Sequence, residues 1–149
     1  MPYSPDLTEH GPVKEVGYLW FGHSYPKGRV SHLFLERLVA LVEQPLIYAR
    51  GYHNCNVGWC RLTHKFRPQP VFRYRGRVFY LGSSDILVPD AKAVYCAPSL
   101  ILHYIRHHRY QPPECFCAAV LNCPKPGSVE YSAAIKQIAP DIANRLGLC

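Results

Sequence analysis

The stretch Ser84–Pro113, SDILVPDAKAVYCAPSLILHYIRHHRYQPP, decides how this chain is to be read. SDILVP and AVYC are short, apolar and rich in β-branched residues, and PDAK between them has turn composition, so the spacing predicts two strands joined by a turn. From Ala97–Pro98 the period changes. Pro98 suits a first helical turn. Leu100, Ile101, Tyr104 and Ile105 recur on one helical face, and YQPP ends the pattern. The same helix carries His103, His107 and His108. A strand pair running into a histidine-bearing helix points to an α+β domain.

Working outward, HLFLERLVALVEQP after Ser31 is the clearest helix. Ser31 can cap it, Phe34, Leu38, Leu41 and Val42 form its apolar stripe, and Pro45 stops it. Val71–Gly82, VFRYRGRVFYLG, alternates around Arg75–Gly76–Arg77 and predicts a hairpin. VGYLWFG, Val16–Gly22, reads as a buried strand. Pro113 can start a third helix, and a final helical segment begins at Ser128 and must bend or split at Pro140. The fold expected is α+β, with a small, mostly antiparallel sheet of four or five strands and packed helices, in one domain. Residues 1–15 are expected as an irregular lead-in, 16–123 as the core and 124–149 as a C-terminal helical extension.

A chain of 149 residues is long enough for one domain with a real core. No apolar run approaches the roughly 18 residues of a membrane span. The opening MPYSPDLTEHGP has no basic patch followed by an apolar run, so no leader is expected and a cytoplasmic setting, away from membranes, is the default. Seven cysteines without a leader favour free thiols and a metal site over disulfides.

Upstream of the histidine helix, RGYHNCNVGWC holds Cys55 and Cys60, spaced Cys-x4-Cys in a loop. Two thiolates on a turn and imidazoles on a helix are the donor set of a Cys2His2 zinc site. His103 and His107 are one turn apart and share a helical face. His103 and His108 lie about 140° apart on an ideal helix, so their convergence calls for a loosened last turn. A hairpin and two strands separate the cysteines from the histidines. This is therefore not the compact nucleic-acid-reading finger, whose pairs lie about 12 residues apart. His53 is expected to orient a ligand from behind. His107 is expected to face solvent, and either histidine is an alternative ligand.

The formal charge is +7. Much of it lies in 61–77, where Arg61, Lys65, Arg67, Arg73, Arg75 and Arg77 occur without an acid. Phe66, Phe72 and Tyr74 are interleaved among them. That mixture suits backbone contact plus base stacking and supports an alternative nucleic-acid-binding reading. A solvated ribbon explains the same charges. A hydrolase, zinc- or thiol-based, needs an open metal position or a thiol–imidazole pair. Cys55, Cys60 or Cys96 with His53 or His103 could be drawn as such a pair, but no spacing requires it. No phosphate-cradling glycine pattern occurs.

The order VGYLWFGHSYPKG, RGYHNCNVGWC, LGSSDILV and VYCAPSLILHYIRHHRYQPPECFCAAVL resembles a family of small uncharacterised bacterial proteins. Those have a glycine-aromatic opening strand, then Arg-Gly-aromatic-His-x-Cys-x2-Cys. Next come a Gly-Ser/Asn-Ala-Glu-Ile-Arg strand, Tyr-Ala-Ala-Pro-x-Leu-Ile-x-His-Tyr, a second His and Tyr-x-Pro-Pro-x-x-Phe. The resemblance covers Val16–Leu121. It implies Arg50, Gly51, His53, Cys55, Cys60, Tyr95, Ala97, Pro98, His103, Tyr104, His108, Tyr110, Pro112 and Pro113 as motif residues. It places His108, rather than His107, beside His103. The chain departs from the pattern in its wider cysteine spacing and in Ser84–Asp85 where Ala-Glu is usual. The family brings no activity. The resulting expectation is a non-catalytic zinc protein, with Cys55, Cys60, His103 and His108 as ligands. It would bind a macromolecule, a protein first and nucleic acid second. Such proteins often accompany toxins or phage-defence systems.

Overall fold

The computed structural model describes residues 3–63 and 66–148. Its main sheet has five strands in the order β1-β2-β7-β6-β3. These are β1 (Thr8–His10), β2 (Val13–Glu15), β3 (Ile47–Tyr48), β6 (Ser84–Pro89) and β7 (Val94–Pro98). Only β2 and β7 run parallel; the other neighbours are antiparallel. A separate two-stranded ribbon is made by β4 (Val71–Tyr74) and β5 (Arg77–Tyr80). The helices are α1 (His32–Glu43), α2 (Trp59–Thr63), α3 (Ile101–His108), α4 (Glu114–Asn122), α5 (Val129–Ile138) and α6 (Pro140–Arg145). The α+β architecture with a mostly antiparallel sheet is as the sequence predicts.

The centre of the sheet is β6–β7. Ile86, Leu87, Val88 and Val94 are all buried, which is what a strand pair covered on both faces requires. The turn between them closes through Asp90 N–H to the Ala93 carbonyl at 2.8 Å. α1 begins where Ser31 Oγ accepts from Phe34 N–H at 3.1 Å, and buries Phe34, Leu38, Val39, Leu41 and Val42. The ribbon turns at Arg75 and Gly76, with φ of 48° and 77°. Two residues of positive φ are the geometry whose twist matches paired strands.

Several elements differ from the sequence expectation. Residues 8–15 are not an irregular lead-in but a hairpin that adds two strands beside β7. β1 is the edge strand and exposes Glu9 and His10, and the polar residues of both short segments hide the strand pattern. Val16–Gly22 is not a strand and has only an isolated bridge, Ser4 to Tyr18. Gly17, at φ 79°, breaks the extended run, and a Cβ there would lie 3.2 Å from Ile101. The run is a tight loop that buries Val16, Tyr18 and Leu19 against the helix side of the core. Pro98 ends β7 rather than opening α3, and Ser99 Oγ accepts from Gly82 N–H at 2.8 Å before the helix starts. The C-terminal segment splits at Pro140 and packs into the common core through Tyr131, Ile135, Ala139 and Ala143. The Tyr131 hydroxyl donates to the Leu87 carbonyl at 2.6 Å, fixing α5 on β6.

Candidate metal centre

Cys55 and Val57 are buried in the loop before α2, and Gly58 turns it with φ 55°. Val57 N–H points at Cys55 Sγ (3.4 Å), and Cys60 N–H donates to the Val57 carbonyl (3.2 Å). The turn therefore presents both sulfurs to one side. α2, a short helix not foreseen from the sequence, carries Cys60 in its first turn. Opposite stands α3, with His103 buried and His108 half-buried.

The pairs cross. Cys55 Sγ lies 3.2 Å from His108 Nε2, and Cys60 Sγ lies 3.6 Å from His103 Nε2. All four donor atoms fall within 4.8 Å of one another, so they are close enough to hold a metal ion. A tetrahedral zinc with these donors has ligand–ligand edges of about 3.3–3.8 Å, so the widest separation needs to close by about 1 Å. No loosened turn is involved. α3 stays helical through His108 and ends at once, because Arg109 adopts the left-handed conformation, φ 54°. Tyr110 N–H then closes onto the Tyr104 carbonyl at 3.1 Å. The two rings bridge their angular offset by side-chain reach, with centroids 5.2 Å apart.

His107 is exposed and stands outside the cluster, its ring 4.8 Å from that of His103. His53 is exposed as well. Its backbone N–H donates to the Gly82 carbonyl at 2.9 Å, and its own carbonyl would lie 2.2 Å from a Cβ on Gly82. The His53 backbone thus ties the cysteine loop to the connection between the ribbon and β6. The group that does reach a sulfur is Arg67, whose Nη1 lies 3.4 Å from Cys60 Sγ. Nothing in the sequence separates Arg67 from its basic neighbours.

Burial, with His107, His108 and Arg67 adding to it, pushes His103 down to about 3. Burial likewise lowers His108. Both imidazoles are therefore neutral at pH 7, the form that ligates metal. Burial pushes the Cys55 thiol up to about 12, and the neighbouring Cys60 adds to the rise. A thiolate there needs a cation to stabilise it, and a bound divalent metal supplies one.

A carboxylate holds the helix exit in place. The Tyr110 hydroxyl donates to both oxygens of Asp6 (2.9 and 2.8 Å), and Gly17 N–H donates to the same side chain at 2.9 Å. The segment Pro26–Gly28 runs beside it, through Gly28 N–H to the Arg109 carbonyl and Gln111 N–H to the Pro26 carbonyl. Between this segment, α2 and residues 67–71 opens a cavity of about 730 Å³, and the four Cys/His residues form part of its wall.

The rest of the basic segment is dispersed. Arg75 pairs with Glu36 and Arg77 with Glu43, both on α1. The Arg61 guanidinium lies over the Phe21 ring, and Arg73 is exposed on β4, its carbonyl accepting from Arg106. Phe72, read as a stacking surface, is a core residue. Lys65 lies outside the described residues. The six described cysteines are free thiols. Cys96 meets the Tyr18 hydroxyl at 3.2 Å, and burial pushes its thiol up to about 12. No helix among the described residues is long and apolar enough to cross a membrane.

Residues 1–121 match the family described as domain of unknown function DUF7919, and the chain belongs to that family. The match takes in the β1–β2 hairpin and Asp6, and it ends within α4. No curated protein and no solved structure matches the chain.

Proposed function

We propose that this is a non-catalytic zinc protein in which the metal ties the Cys55–Cys60 loop to α3 and so shapes a surface for a macromolecular partner, in a cytoplasmic setting. The observation that carries the metal is the gathering of two sulfurs and two imidazole nitrogens within 4.8 Å, from elements on opposite sides of a cleft. Zinc suits it best, because mixed thiolate and imidazole donors in a tetrahedral cage are its habitual set. Four protein ligands leave no position for a reacting water, so the role is structural. A thiol hydrolase would draw on the Cys55–His108 and Cys60–His103 pairs, but in this reading those four groups are the metal's ligands; burial keeps the Cys55 and Cys96 thiols protonated, a poor nucleophilic form, and the neighbour of Cys96 is a hydroxyl, not a base. The nucleic-acid reading through 61–77 is weakened by the glutamates that answer Arg75 and Arg77.

For the partner, Leu62 and Phe66, 66% and 88% exposed, are the relevant side chains. They stand on and just after α2, the helix that the metal would fix, and exposed large apolar residues of this kind mark protein contacts when grouped. The test is a metal assay on purified protein. About one zinc per chain is expected, lost in both Cys55→Ser and His103→Ala. Metal-free wild type that melts cooperatively at an unchanged temperature would overturn the reading. Leu62→Asp with Phe66→Asp should keep the zinc and abolish specific co-purification of the partner.

A further inference from the structure

The cavity beside the metal centre is much larger than an ion needs. At about 730 Å³ it falls in the range of pockets that hold small organic ligands. Three cations from three separate segments line it: Lys27, Arg67 and Arg109. No carboxylate lines it, and among the described residues the ion pairs engage other cations. The centre supplies no counter-charge either. Zinc with two thiolates and two neutral imidazoles has zero net charge. Like charges gathered round one cavity raise the local concentration of anions and favour a multiply charged one. Arginine forks match phosphate oxygens in particular.

The second feature is Trp59. It lines the same cavity yet is 80% exposed, so its ring is a flat apolar face that the fold leaves uncovered. Tyr25, with Lys27 over its ring at 5.4 Å, adds an aromatic wall. An aromatic base stacks on such a face, with base–aromatic stacking worth about 1–3 kcal/mol.

We propose that this cavity binds a nucleotide, its phosphoryl group held by Lys27, Arg67 and Arg109 and its base stacked on Trp59. The phosphoryl group does not enter the metal's coordination. The inference goes beyond the zinc-staple reading and stands or falls separately from it.

The test is calorimetric titration of the full chain as purified, with zinc counted in the same sample. The probes are adenosine 5′-monophosphate, adenosine and inorganic phosphate. The monophosphate should bind, with adenosine and phosphate each at least ~10-fold weaker. Lys27→Gln combined with Arg109→Asn should weaken it by ~10-fold or more, because asparagine keeps the left-handed backbone while removing the charge. Trp59→Ala should do the same and remove the quenching of tryptophan fluorescence. Arg67 is left intact because it touches Cys60. Melting temperatures of the variants show that each is folded. An oligonucleotide with and without a 5′-phosphate tells whether the ligand is a free nucleotide or a chain end. Tighter binding that depends on that phosphate keeps the pocket and names its source. No binding of the monophosphate or the phosphorylated oligonucleotide at ~1 mM overturns the proposal. So does an affinity unchanged in the variants, or phosphate binding as well as the nucleotide. Zinc-free protein that binds the nucleotide refutes only the zinc reading, and zinc-loaded protein that ignores it refutes only this one.

Discussion

Replacing His108 by alanine should act almost entirely through the metal, and a thermodynamic cycle can show it. His108 Nε2 lies 3.2 Å from Cys55 Sγ, on a half-buried ring, whereas the exposed His107 next to it stands outside the cluster. A ligand that binds only the folded state, present at a thousand times its dissociation constant, adds about 4.1 kcal/mol of stability. In a domain of about 150 residues each kcal/mol moves the melting temperature by roughly 2–4 °C, so zinc should raise it by roughly 8–16 °C. Unlike a zinc finger, this chain has an apolar core apart from the metal, so the chelated protein should still melt cooperatively. With zinc, His108→Ala should lose most of that increment. In chelator it should cost only about 1 kcal/mol, the ordinary effect of trimming a half-buried side chain. His107→Ala should change stability by less than about 0.5 kcal/mol in either condition. Scanning calorimetry of the three proteins, with zinc and with chelator, gives the cycle. Equal losses for His108→Ala in both conditions would refute the coupling of this histidine to a metal. A large zinc-dependent loss in His107→Ala would reassign the ligand.

Two further outcomes follow from the same geometry. Gly82→Ala should destabilise the fold by more than about 2 kcal/mol and weaken zinc retention, because its Cβ would meet the His53 carbonyl at 2.2 Å on a backbone of φ 93°; chemical denaturation with a zinc-release assay reads both effects. Burial holds the Asp85 carboxyl up at about 6 against an ordinary 3.8, so the ionised group costs stability above pH 6 and that cost fades as pH falls toward 3.8. Asp85→Asn should therefore be more stable than wild type at pH 8, with the advantage gone near pH 4; melts of both proteins across that window check the sign.

Much of the fold was legible because its signals are local. Ser31 with its apolar stripe, the Arg75–Gly76 turn and Pro140 each act within a few residues, and each does what its chemistry demands. The donor set was also legible, since thiols and imidazoles are few and their spacing is visible. What was hidden depends on distant contacts. Residues 8–15 become strands only because β7 offers them an edge. Val16–Gly22 looks like a strand by composition, but Gly17 must pass Ile101 closely and Asp6 must reach Tyr110. Arg67 looks like its basic neighbours until the fold brings it to Cys60. The crossing of Cys55 with His108, and of Cys60 with His103, has no trace in either motif alone.

That crossing has a consequence for the order of events in folding. The two contacts span 53 and 43 residues of chain. Neither half of the centre is local, so the full donor set exists only after the loop, the ribbon and α3 have docked. Closing such long loops precedes any reward from the contacts they make. A metal would therefore be captured late, on the native side of the folding barrier. Interactions absent from the transition state slow unfolding and leave the folding rate nearly unchanged. Zinc would act as a latch that lengthens the lifetime of a fold already reached.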